Sequence, residues 1–152
     1  MPVLGAAPER ITATGRNTRY ADLCFDGGRQ RIICVCEDHT GNHAEAANRL
    51  VAVDIASGAV ETLQRGYDFY SSPRLDHDGR QLAWLCWNHP NMPWDGTELW
   101  VADIDAEGQT GNPTHVSGDD TTSIFQPEWS PDNAVLVPGD APCRADWRDN
   151  DG

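Results

Sequence analysis

The side chains able to carry chemistry in this chain are its serines, histidines, cysteines and carboxylates. A serine nucleophile on a strand-to-helix turn needs Gly-x-Ser-x-Gly, because only small neighbours permit the strained turn that exposes the hydroxyl. Ser57, Ser71, Ser72, Ser117, Ser123 and Ser130 all lack that context; Ser57 and Ser117 each precede one Gly and read as turn residues. No catalytic residue is expected, and the chain is read as not itself an enzyme. His39 and His89 stand at equivalent places, each at the exit of an expected strand, with Asp38 and His43 near the first. A divalent metal shared between them would need close ligand spacing, which neither has. Loop hydrogen bonding or an interface contact is the expected role. Asp76-His77-Asp78-Gly79 opens like a calcium loop but lacks its later ligands and terminal Glu, whereas Asp-Gly marks a hairpin turn. The five Cys include no CxxC pair. Cys34 and Cys36, two apart on one strand, share a face and are expected as buried free thiols. Neither a metal nor a cofactor is expected.

The strongest interaction candidate is the stretch Asn88 to Thr97, carrying His89, Asn91, Trp94 and Asp95. Pro90 and Pro93 stiffen it, and loops on a rigid scaffold are where binding residues concentrate. With His39, these residues form the expected rim or interface set. Trp84, Trp87, Trp100 and Trp129 lie in or near expected strands and read as packing residues, in contrast to Trp94.

The elements that position these residues repeat. Leu23-Cys24-Phe25-Asp26-Gly27-Gly28-Arg29-Gln30-Arg31-Ile32 matches Leu75-Asp76-His77-Asp78-Gly79-Arg80-Gln81-Leu82, with the Gly-Arg-Gln turns 51 residues apart. A third copy starts at Pro127-Glu128-Trp129-Ser130-Pro131-Asp132-Asn133. Strands are expected near 20–25, 31–37, 48–54 and 59–63, then near 69–75, 81–87, 98–104 and 114–116. Gly27-Gly28, Ser57-Gly58, Asp78-Gly79 and Glu107-Gly108 supply the turns. Four short antiparallel strands in about 50 residues are the signature of a β-propeller blade. The fold class is all-β: a partial β-propeller with two full four-stranded blades, near 18–65 and 67–118, and flanking strands of neighbouring blades. Glu9-Arg10-Ile11-Thr12 reads as the last strand of a preceding blade, and a third blade begins at 123. Residues 1–132 make up the partial propeller. After Asn133, Pro138 and Pro142 stop the pattern, so 133–152 reads as an irregular or disordered tail, out of frame with the blades.

Composition narrows the partners. The chain has 152 residues and a net charge of −13, and all eleven of its basic residues are Arg. Phosphate backbones and anionic membranes need clustered cations, so neither nucleic acid nor membrane is expected as a partner. No apolar run approaches a membrane span, and no signal-peptide pattern opens the chain. Together with the unpaired cysteines this reads as a cytoplasmic protein.

Phe69-Tyr70-Ser71-Ser72-Pro73-Arg74-Leu75, followed by Asp78-Gly79-Arg80-Gln81-Leu82-Ala83-Trp84, resembles the propeller of prolyl oligopeptidase-family serine peptidases. The acylaminoacyl-peptidase and dipeptidyl-aminopeptidase branch is the nearest. Trp87-Asn88-His89-Pro90-Asn91-Met92-Pro93-Trp94-Asp95-Gly96-Thr97-Glu98-Leu99-Trp100 carries the resemblance further. Ser123-Ile124-Phe125-Gln126-Pro127-Glu128-Trp129-Ser130-Pro131-Asp132 does the same for the next blade. The resemblance covers residues 8–132. It implies a propeller that limits access to short peptides and faces a hydrolase domain bearing a Ser, Asp and His triad. Only a middle slice of that propeller is matched, so a truncated or frameshifted gene is expected. An open array of blades is expected to self-associate through its uncovered edges. A stand-alone protein-binding propeller module is the alternative.

Overall fold

The central strands are near-continuous apolar runs, such as Ile32–Cys36 and Leu82–Cys86, so both faces of each sheet are apolar and favour blade-on-blade stacking. The computed structural model describes residues 7–13, 17–41, 45–136 and 144–145, and these contain strands and turns but no helix. The first blade comprises β1 (Thr18–Asp26), β2 (Arg31–Asp38), β3 (Ala47–Asp54) and β4 (Val60–Gln64). The second comprises β5 (Phe69–Leu75), β6 (Gln81–Trp87), β7 (Glu98–Asp103) and β8 (Thr114–Gly118). Both sheets are antiparallel meanders, ordered β1-β2-β3-β4 and β5-β6-β7-β8. The chain is therefore a partial β-propeller with two complete blades, as the repeat implies. A third sheet, ordered β11-β10-β9, consists of β9 (Glu128–Trp129), β10 (Val135–Leu136) and β11 (Arg144–Ala145). Of the segment read as a tail, only 133–136 and 144–145 are described, and the rest lies outside the described residues.

Stacking of the blades makes the core. Ile33, Val35, Leu50, Ala52 and Leu63 of the first blade meet Tyr70, Leu82, Trp84, Cys86, Ala102 and Ile104 of the second. The second blade's opposite face, Ala83, Leu85, Leu99 and Val101, packs on Ile124 and Val135. Each fully buried Leu or Ile contributes about 2 kcal/mol relative to exposure. Cys34 and Cys36 share a face with Val51 and Val53, and Cys24, Cys34, Cys36 and Cys86 are free thiols. Burial pushes the Cys34 thiol up to about 12.

Two details differ from the sequence reading. Strand register makes the repeat 50 residues, not 51: Tyr20 lies opposite Cys36 and Tyr70 opposite Cys86. Arg29 therefore sits where Gly79 does, and the Gly-Arg-Gln match joins two differently bent turns. The left-handed residue is Gln30 (φ 51) in the first and Gly79 (φ 69) in the second. Asn133 (φ 58) takes the Gly79 place in the third blade, as expected for an Asn in a turn. Second, Glu9 to Thr12 is not a strand. Among the described residues no strand lies beside it to complete a ladder. Instead the Ile11 carbonyl lies against Gly58 (φ 71), where any Cβ would collide with it.

Candidate functional site

In both blades the β2–β3 and β6–β7 connections emerge at the same end of the sheets as the link into the next blade. The candidate residues therefore gather on one face. Asp68, in the link between β4 and β5, organises it. Its Oδ2 accepts the backbone N–H of His89 at 2.9 Å and lies 3.0 Å from His89 Nδ1. Those bonds, backbone first, hold the Asp68 carboxyl below the usual carboxylate range. The Asp68 N–H donates to Asn88 Oδ1 at 2.8 Å, and Asn48 Nδ2 donates to the Asp68 carbonyl at 2.7 Å. On its other side, His89 Nε2 lies 2.9 Å from Glu45 Oε2 of the first blade. His89 thus links the two blades across their rim. Its ring also leans on Phe69, with centroids 4.8 Å apart.

The loop after His89 is pinned toward the third blade. Asn91 Nδ2 donates to the Asp120 carbonyl at 2.6 Å, and Ser123 Oγ donates to the Pro93 carbonyl at 2.9 Å. Thr97 Oγ1 both donates to the Ile124 carbonyl and accepts the Ile124 N–H, each at 2.8 Å. Asp95 Oδ2 accepts the Met92 N–H at 2.9 Å and closes the loop on itself. With its polar groups satisfied, the loop turns Trp94 out to solvent at 69% exposure; Met92 and Phe125 are exposed as well. A cleft of about 180 Å³ lies beneath, lined by His89, Asn91, Asp119 and Asp120 among others. With Glu98, Asp119 and Asp120 in its lining, the cleft suits a neutral or cationic group better than an anion.

The predicted residues thus fall into two groups. His89, Asn91, Trp94 and Asp95 share one loop. His39 lies on the first blade, where its Nε2 is 3.4 Å from Glu37 Oε2 and its N–H donates to the Asn17 carbonyl at 2.6 Å. Among the described residues no hydrogen bond or ring contact joins His39 to His89. Among the described residues no group of three or more His, Cys, Asp or Glu is placed to hold a metal ion. His43 lies outside the described residues. Asp68 and Glu45, which the sequence reading did not select, are the true partners of His89. A lone carboxylate in a link between blades has no sequence signature beyond its place before an aromatic strand.

At the opposite end, Asp26 is buried and pairs with Arg31 Nε at 2.8 Å. Arg31 Nη1 donates to the Gly108 carbonyl at 2.7 Å, and Arg29 Nη1 donates to the Gly79 carbonyl at 2.8 Å. These two arginines fasten the first blade's turn to the turns of the second. They are structural and leave the rim face free.

No protein-family model and no curated protein matches the chain. Solved structures do. The chain is 35% identical to puromycin hydrolase, with a TM-score of 0.78, over 88% of this chain and 22% of that one. It is 35% identical to a puromycin-hydrolyzing peptidase from Mycobacterium tuberculosis, with a TM-score of 0.69, over 83% of this chain and 21% of that one. The acylaminoacyl peptidase of Pyrococcus horikoshii, at 18% identity and a TM-score of 0.57, covers 80% of this chain with 17% of its own and shares the fold. The chain spans 22% or less of the length of these three structures. Its two blades and their order match one propeller stretch within longer peptidases, and the chain is similar to a β-propeller segment of the prolyl oligopeptidase family.

Proposed function

We propose that the chain supplies a wall of the access path and a docking face for a hydrolase domain, and has no peptidase activity of its own. The observation that carries this reading is the loop 88–97. It is fastened to the segment leading into the next blade by four side-chain hydrogen bonds, yet presents Trp94 and Met92 to solvent, and Phe125 of that segment is exposed as well. Holding a large aromatic in the open has little use in a folded wall unless something else covers it. His89, Asn91 and Asp95 set the loop's shape, Trp94 makes the contact, and His39 lies farther along the rim. The partner is a hydrolase domain of the kind found in the longer relatives, with short peptides passing between. The location is cytoplasmic, and neither nucleic acid nor membrane is a partner for a chain of charge −13.

A photo-crosslinking residue at Trp94 tests the docking face, with the purified chain mixed with the separately produced hydrolase domain of a puromycin hydrolase. Crosslinks at 94, and none from the same probe at Glu107 on the opposite end, are expected. Equal yields at the two positions would contradict the reading.

A further inference from the structure

Between the first blade's outer strand and the second blade lies a recess of about 210 Å³ that the access path does not use. Its walls are Tyr67, Tyr70, Trp84 and Trp100, with Pro113 beside them and Gln64 and Arg65 at the rim. Tyr67 meets Tyr70 at 78° and Trp100 at 59°, with centroids 6.2 and 6.4 Å away, so the rings form a corner rather than a flat stack. Trp84 and Tyr70 are buried and make the floor, whereas Tyr67 and Trp100 are half-buried and open to a visitor.

The polar atoms of the two open walls are already committed. The Tyr67 hydroxyl donates to Glu98 Oε2 at 2.7 Å, and Trp100 Nε1–H donates to the same oxygen at 2.8 Å. The Tyr70 hydroxyl oxygen accepts the Tyr67 N–H at 3.2 Å. What the open rings offer a ligand is therefore their π-faces and not hydrogen bonds. A groove for proline-rich peptides would keep such donors free for backbone carbonyls. A phenol and an indole that both donate to one carboxylate gain electron density, which deepens the negative face of each ring. Glu98 also places a full negative charge directly behind the walls. A cation with an apolar shell is what such faces attract.

We propose that this recess binds an alkylated ammonium group, of the quaternary or trimethylated kind. Tyr67 and Trp100 supply the open walls, Glu98 polarises them from behind, and Arg65 at the rim is the cation that opposes binding. The probe is choline, titrated against the neutral isostere 3,3-dimethylbutan-1-ol, with the Trp100 indole N–H resonance as readout. Saturable movement of that resonance is expected with choline, at an affinity at least about tenfold above that of the neutral isostere. Tyr67→Phe keeps the ring, removes the bond to Glu98 and weakens choline binding several-fold; Arg65→Ala strengthens it. Trp100→Leu, read on the Trp84 resonance, abolishes it. Equal binding of the isostere, no saturation by about 100 mM choline, or weaker binding in Arg65→Ala would each overturn the proposal.

Discussion

Arg31 and Asp68 hold the two ends of the blade pair together by different chemistry. Arg31 is buried, and removing it leaves the buried Asp26 carboxylate with the Arg29 backbone N–H at 3.2 Å and the longer contact to the Arg29 guanidinium at 3.3 Å. Arg31→Ala is expected to lower unfolding stability by about 3 kcal/mol. Arg80→Ala, at a side chain 77% exposed, should change it by less than about 0.5 kcal/mol. Urea denaturation of both variants measures the difference. Asp68 behaves as a pH-dependent tie. The N–H and ring of His89 depress its pKa, and Thr40, Ser57 and Thr121 do the same for Asp38, Asp54 and Asp119. A depressed carboxyl binds its proton less readily in the folded state. Its contribution is therefore complete above about pH 4 and lost as pH falls through the lower folded value. Acid unfolding below about pH 4 is expected, with a shallower slope in Asp68→Asn; circular dichroism against pH checks both.

The strands themselves are legible because Ile32–Cys36 and Leu82–Cys86 are short continuous apolar runs, each preceded by a turn signal. The innermost strands were less so. β1 and β5 each break register, after Ala21 and after Ser71, and the breaks hold Asp22 and Ser72 at φ 52 and 51. Gln126 (φ 50) repeats the feature before the third blade. A left-handed Asp or Ser next to a bulge leaves no mark in composition, so the sequence reading drew smooth strands there. The Ser72 N–H donates to Asp22 Oδ2 at 3.1 Å, so the bulges also tie neighbouring blades. The aromatic recess was equally hidden. From sequence Trp100 looks like any other blade-packing aromatic, and Tyr67 in its link carries no pattern at all. The loop 88–97 was legible because two prolines and an isolated Trp stand out in a strand-rich chain. Its fastening depends on Gly118 (φ 87), where a Cβ would strike the Thr97 carbonyl and Ile124. Gly118→Ala is expected to cost more than about 2 kcal/mol. Gly66→Ala, with open space around its Cβ, carries only the backbone strain. Thermal melts of the pair separate the clash from the strain.

At the scale of the whole molecule, the described residues form two blades and part of a third, stacked face against face. Leu23, Phe25 and Val60 on the first blade are exposed, as is Phe125 toward the third. Copies of this chain are proposed to cover one another's open faces. Sedimentation velocity at micromolar concentration is expected to show a dimer or larger species that Phe25→Asp disperses; a stable monomer would refute this. The central claim concerns activity. The family resemblance invites the assumption of a peptidase, yet Ser71, Ser72 and Ser117 sit within blade strands, Ser57, Ser123 and Ser130 sit in turns and links, and the matched stretch of the longer enzymes is propeller. The direct measurement is turnover of acyl-amino-acid and dipeptide reporters by the pure chain, with and without a serine-reactive phosphonate. The account predicts no turnover above buffer and no labelling by the phosphonate. Turnover that the phosphonate abolishes, with the label on a serine of this chain, would contradict it.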